Sequence, residues 1–353
     1  MNAHNKVRFG IVGCGMISEV QARALGALPD AEIVAFCDEI KASAQARADQ
    51  FGGRVYTRVQ DLVSDPEVDA VSICTPSGLH MEAAVTAANA RKHVMVEKPI
   101  EITPDRANAI VHACRENGVK LGAIFPRRFL DSSQVLKHAI SSGRFGTIVL
   151  ASTYIKWFRD QEYYSASRWR GTFRYDGGGA LMNQGVHGID LLQWLMGGIT
   201  DVTAFTTTRA HTGIEVEDVA AAAVRFRSGA LGIIEGTTGA WPGEKLRLEI
   251  SGDRGTVVLE DDALRTWKFQ DESAEDAQIR ARFAVRDGLS GGATDARAIN
   301  SDGHRLQFED FIQAIRYDRR PRIDGSEGRA AVSIVNAIYQ SARESRSITL
   351  DAF

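Results

Sequence analysis

Four short runs in the first third of the chain, VRFGIVG, EIVAFCD, AVSICT and HVMVEK, are β-branched or aromatic and of strand length. The stretches SEVQARALGAL, KASAQARADQFG, HMEAAVTAANARK and PDRANAIVHACRENG instead repeat apolar residues at helical spacing. Alternation of this kind leaves little topological freedom. It implies parallel strands joined by right-handed crossovers, hence a doubly wound α/β sheet whose ligand lies at the carboxyl ends of the strands. Later runs, IVLASTYIKWF, DVTAFTTTRA, DVAAAAVRFRSG, ALGIIEGTTGA, LRLEISGDRGTVVLE and ALRTWKF, are strand-like and separated by turns. With 353 residues the chain exceeds what one core usually holds. We expect two domains, residues 1–123 and 124–353.

The turn after the first run reads GCGMIS. Gly13 permits a tight turn, and Gly15 lets the amides of Met16 and Ile17 approach a pyrophosphate at the start of the next helix. Ser18 stands where a third glycine is usual. Asp38, at the end of the second run, is placed to accept hydrogen bonds from both ribose hydroxyls of an adenosine and to repel a 2′-phosphate. This favours NAD, although Lys41 and Arg47 leave NADP open. Two further turns belong to the same crevice: TPSGLH, with Thr75, Pro76 and His80, and EKP, with Glu97 and Lys98. A lysine held between a strand end and a proline is poised over the ligand, and partial burial would suit it to proton transfer.

Residues 177–197, GGGALMNQGVHGIDLLQWLMG, place three glycines before an apolar helical pattern interrupted by Asn183, His187 and Asp190. That spacing stacks the three polar residues along one helix side. Asp190 reads equally as a substrate contact or as a structural residue.

GCGMIS, TPSGLH, EKP and GGG followed by NQGVHGID, together with DFIQAIRYDRRPRIDGSEGRAAVSIVNAIYQSARES near the C-terminus, resemble the Gfo/Idh/MocA oxidoreductases over almost the whole chain. The resemblance implies a Rossmann domain and an α/β domain built on a large, mainly antiparallel sheet open on one face, through which the chain forms a homodimer or homotetramer. It implies oxidation of a ring hydroxyl of a sugar, sugar acid, cyclitol or nucleotide sugar, or reduction of the carbonyl. Lys98 and His187 are then the catalytic residues, with His187 the preferred base and Lys98 the relay or oxyanion stabiliser. Many relatives carry Asp where this chain has Asn183; Asn keeps hydrogen bonding without charge, so we read it as orienting substrate. The resemblance also admits an aldose–aldose oxidoreductase with tightly bound, recycled cofactor, and a non-catalytic regulator that binds dinucleotide.

The segments IFPRRF and YIKWFRDQEYYSASRWRGTFRYDGGG gather arginines and aromatics suited to sugar faces and to a carboxylate or phosphate. From them we assign Arg128, Lys156 and Trp169 to the substrate pocket. His304 opens a late helix and reads as a surface neighbour of its N-cap, or as a residue that swings toward the site. Residues 272–298, charged and Gly-rich, read as a lid, an arm toward a neighbouring subunit or a surface loop.

Composition excludes other classes. A net charge of -3 with dispersed Lys and Arg gives no footprint for nucleic acid or an anionic membrane. No basic segment followed by an apolar one suggests a signal peptide, and four cysteines without CxxC spacing disfavour structural zinc and a disulfide framework. We expect a cytoplasmic protein without a metal.

Overall fold

The computed structural model describes residues 6–284 and 301–350. They form two compact units, neither continuous in sequence. Of the described residues, the first holds 6–126, 174–177 and 301–332, and the second 127–173, 178–284 and 333–350.

In the first unit, β1 (Val7–Val12), α1 (Met16–Gly26), β2 (Ala31–Cys37), α2 (Lys41–Phe51), β3 (Arg54–Tyr56), α3 (Val59–Val63), β4 (Ala70–Ile73), α4 (His80–Asn89), β5 (His93–Val96), α5 (Pro104–Glu116) and β6 (Leu121–Ala123) alternate as the sequence requires. The strands make an all-parallel sheet in the order β3-β2-β1-β4-β5-β6, the doubly wound order that reverses direction between β1 and β4. Burial on both faces explains why β1 and β4 read as continuous apolar runs. The late helix Asp302–Arg316 returns to this unit because Phe308, Phe311 and Ile312 complete the core around Phe9 and Ile11. Phe9 and Phe308 meet edge to face, 5.7 Å between centroids.

The second unit adds α6 (Asp131–Ser141), β7 (Ile148–Lys156), α7 (Gln161–Ser165), α8 (Val186–Met196), β8 (Ile199–Thr207), β9 (Val219–Phe226), β10 (Leu231–Thr237), β11 (Arg247–Gly252), β12 (Gly255–Glu260), β13 (Ala263–Phe269), α9 (Ala274–Arg282) and β14 (Ile348–Thr349). Its eight strands run β13-β12-β11-β7-β10-β9-β8-β14, every pair antiparallel except β7 with β10. Burial alternates along β9 and β10, the signature of a sheet with one covered and one open face. Helix α8 covers one side: a Cβ on Gly188 would lie 2.8 Å from Thr153 Oγ1 and 3.1 Å from Ile155. The other face exposes Leu150, Leu231, Ile233 and Phe205.

α9 is anchored by Asp276, which accepts Trp267 Nε1 at 2.6 Å and both Nη atoms of Arg144. The rest of the stretch expected as lid or loop, from residue 285, lies outside the described residues. The four cysteines are buried and free. Among the described residues no helix is long and apolar enough to cross a membrane, and no group of His, Cys, Asp or Glu is arranged to hold a metal ion.

Candidate active site

The first unit supplies a dinucleotide crevice at the ends of β1, β2 and β4. Gly13 has φ +86°, and a Cβ there would lie 2.6 Å from the Cys74 carbonyl carbon and the Thr75 nitrogen. Only glycine fits that turn. Gly15 differs: an added Cβ would meet nothing within 4 Å. It is the N-cap of α1 and provides no side-chain hydrogen bond, so the helix amides at Met16 and Ile17 front open space suited to a pyrophosphate. Ser18, in the third glycine position, is fully buried and donates its hydroxyl to the Gly15 carbonyl at 2.6 Å.

Asp38 accepts the Cys14 amide at 2.8 Å on one oxygen and the Ile40 amide at 2.9 Å on the other, leaving lone pairs on both for ribose hydroxyls. Arg47 is held by the Gly15 carbonyl at 3.1 Å, Ser18 Oγ at 3.2 Å and Glu19 at 3.0 Å. Its charge is thus committed within the unit. Thr75 and Pro76 are half-buried at the end of β4, and Thr75 Oγ1 has no protein partner among the described residues.

His80 and Glu97 do not line this crevice as expected. His80 is 1 % exposed and lies between the carbonyl oxygens of Thr75 and Pro99, each 2.9 Å from a ring nitrogen. It ties the TPSGLH turn to the EKP turn from behind. Glu97 is buried beneath Lys98, accepting the Lys98 amide at 2.9 Å and Gln21 Nε2 at 2.6 Å. Burial opposes its ionisation, yet His304, Lys98 and Gln21 hold the carboxyl below its ordinary value. His304 is therefore no surface residue: it is 4 % exposed, its Nε2 3.7 Å from Glu97 Oε1. The sequence missed this pairing because 207 positions separate two residues that only the return of the late helix brings together. Within residues 94–101, Lys98 alone is not buried.

In the second unit, residues 180–185 form a π-helical turn that runs into α8. Such turns recur at functional sites. Every residue in the span 178–193 is buried except Asn183 and His187. The glycines explain the position of the turn. A Cβ on Gly178 would fall 2.2 Å from Tyr339 Oη, and one on Gly179 1.7 Å from the Glu217 carbonyl oxygen. That close approach lets Glu217 receive three successive amides: Gly179 at 2.8 Å and Leu181 at 2.9 Å on its carboxylate, and Ala180 at 3.0 Å on its carbonyl. Tyr339 adds a hydroxyl at 2.9 Å. Burial pushes the Glu217 carboxyl up to about 7, against those donors.

The neighbouring Asp218 accepts the amides of Arg209, Ala210 and His211 and the His211 ring, whose other nitrogen faces the Arg159 carbonyl at 2.8 Å. One dipeptide thus fixes both the helix start and the segment carrying Arg159. Two adjacent acids at the head of an apolar strand were the available signal, passed over in favour of the strand itself.

Three expected substrate contacts lie elsewhere. Arg128 and Asp190 form a buried bidentate pair, at 2.8 and 2.6 Å and 3 % and 1 % exposed, so each serves the other. Asp190 is buried in α8, whereas Asn183 and His187 are only half-buried. Lys156 falls on the sheet face opposite α8, because Thr153 and Ile155 point toward the helix and side chains alternate. There it pairs with Glu235 at 3.4 Å. Trp169 is half-buried beside Arg170, whose guanidinium lies 5.5 Å from its ring.

Comparison with known proteins agrees with both halves of the chain. Residues 7–125 match the model of an oxidoreductase family with an NAD-binding Rossmann fold, and residues 137–350 match that family's C-terminal α/β domain. Myo-inositol 2-dehydrogenase of Thermotoga maritima is 26 % identical, over 98 % of this chain and 99 % of that protein. The WlbA dehydrogenase of Bordetella pertussis, solved with NADH and UDP-GlcNAcA, superposes with TM-score 0.90 at 36 % identity, covering 99 % of each chain. Its counterpart from Chromobacterium violaceum, also with NADH and UDP-GlcNAcA, gives 0.89 at 33 % identity, covering 99 % of this chain and 97 % of that one. The chain belongs to the Gfo/Idh/MocA oxidoreductase family, with its NAD-binding Rossmann fold and C-terminal α/β domain.

Proposed function

We propose that this protein is an NAD-dependent dehydrogenase of a ring hydroxyl on a nucleotide-linked sugar acid of the UDP-GlcNAcA type. The observation that carries the reading is that Asn183 and His187 alone stay partly exposed in an otherwise buried helical span. Partly exposed polar side chains on a buried helix are the ones a ligand can reach. The choice of substrate class rests on the two WlbA dehydrogenases solved with that compound. Bound NAD supplies the hydride acceptor.

His187 takes the hydroxyl proton as the C–H bond is lost, and Lys98 stabilises the developing alkoxide and passes on charge. Asn183 orients the sugar by hydrogen bonding. The cofactor is held by Gly13, Gly15, Met16, Ile17, Asp38, Thr75 and Pro76, while Glu97 and His80 brace the loops from beneath. Asp38, with Arg47 committed to Gly15, Ser18 and Glu19, favours NAD over NADP. The chain self-associates through the open sheet face, where Leu150, Leu231, Ile233 and Phe205 are exposed.

Absorbance at the reduced-nicotinamide band tests the reading, with NAD or NADP offered against sugars, sugar acids, cyclitols and nucleotide sugars. Turnover with NAD and a nucleotide sugar acid is the expected result. Silence across the panel, with NAD binding shown separately, refutes it in favour of cofactor recycling or regulation. Sedimentation velocity tests self-association: an oligomer that Phe205→Glu dissociates is expected, and a wild-type monomer refutes it.

A further inference from the structure

Resting on that reading of the second unit, we infer that Arg170 anchors an oxyanion of the substrate. Several half-buried arginines elsewhere are paired with carboxylates, among them Arg8 with Asp69, Arg144 with Asp276 and Arg106 with Glu101. Arg170 is not. Among the described residues it has no ion pair; its Nη1 donates to the Tyr163 carbonyl at 3.1 Å, and its Nε has no partner. Its guanidinium lies 4.1 Å from the centre of the Tyr163 ring.

A second guanidinium, Arg159, lies 5.4 Å from the centre of the same ring. Two cations on one aromatic platform repel each other, and an anion bound between or beside them relieves that repulsion. Position joins this platform to the substrate helix. The Tyr163 hydroxyl accepts Gln184 Nε2 at 3.0 Å, and Gln184 is the immediate neighbour of Asn183 on the π turn. A guanidinium held over an aromatic ring presents its remaining N–H groups to a planar carboxylate or to phosphate oxygens. In a nucleotide-linked sugar acid these are the uronate and the diphosphate.

The test is titration of the NADH-loaded protein with four probes: UDP-glucuronate, UDP-glucose, glucuronate and glucose. Wild type is compared with Arg170→Gln and Arg170→Lys. If the uronate is the anchor, Arg170→Gln weakens UDP-glucuronate and glucuronate about tenfold or more and leaves UDP-glucose within twofold. If the diphosphate is the anchor, both UDP sugars weaken and glucuronate does not. Arg170→Lys, which keeps the charge, recovers part of either loss and controls for misfolding.

Equal weakening of charged and neutral probes, or no change in any charged probe, overturns the inference. So does a wild type that binds none of the three charged probes. The two readings fail separately: turnover of a neutral sugar with no anion binding refutes only the anchor, whereas Arg170-dependent anion binding without turnover refutes only the dehydrogenase.

Discussion

Glu217→Gln should change how stability depends on pH. The wild-type carboxyl is buried against the turn that leads into α8 and pushed from 4.5 to about 7. The unfolded chain releases this proton near 4.5, while the folded chain keeps it until near 7. Between those values the folded state binds more protons, so stability falls as pH rises, by about 3 kcal/mol in all from this group. Glutamine does not titrate. The stability of wild type minus that of Glu217→Gln, from urea denaturation at half-unit steps between pH 4.5 and 8, should therefore decline by about 3 kcal/mol and level off above pH 7. Titrations elsewhere are shared by both proteins and cancel. A flat difference would show that the three donors on the carboxylate balance its burial, and one that rises with pH that they outweigh it.

The glycine turn separates fold from cofactor. Gly13→Ala meets the Cys74 and Thr75 backbone at 2.6 Å and should cost more than about 2 kcal/mol in denaturant unfolding; a stable variant refutes the turn geometry. Gly15→Ala meets no protein atom, so it should cost only the weaker N-cap, about 1 kcal/mol or less, while weakening NADH about tenfold by fluorescence titration. Unchanged NADH affinity would place the pyrophosphate elsewhere. Removing one partner of the buried Arg128–Asp190 pair, as in Arg128→Met, should destabilise by about 3–5 kcal/mol; a near-neutral result would contradict a structural role for the pair.

The doubly wound sheet was legible because β1, β4 and β5 are buried almost throughout and α1, α4 and α5 repeat apolar residues at helical spacing. β3 and β6, three residues each, carry too short a pattern to be seen. The nucleotide turn was equally legible, since positive φ at Gly13 and a carboxylate at the end of β2 are local requirements. Long-range pairing was not. Arg128 reads as a free cation until Asp190, 62 positions away, is seen against it, and Glu97 reads as a crevice residue until Gln21 and His304 are seen to hold it beneath. Lys156 misled for a different reason: its strand was recognised, but the face that α8 covers follows from tertiary packing alone. The helical spacing of Asn183, His187 and Asp190 was legible, but not that Asp190 is buried against Arg128 while the first two stay half-buried.

Lys98 in one otherwise buried span, and His187 beside Asn183 in another, are half-buried polar residues, and the account stands on Lys98 and His187 being the acid–base groups. The most direct test is single-turnover formation of reduced nicotinamide by Lys98→Met, His187→Asn and the double variant, with NADH affinity measured alongside. Each single variant should lose about a hundredfold or more in the chemical step, and the double variant much less than the product of the two losses, with NADH affinity nearly unchanged. Near-normal turnover in either single variant would contradict the account.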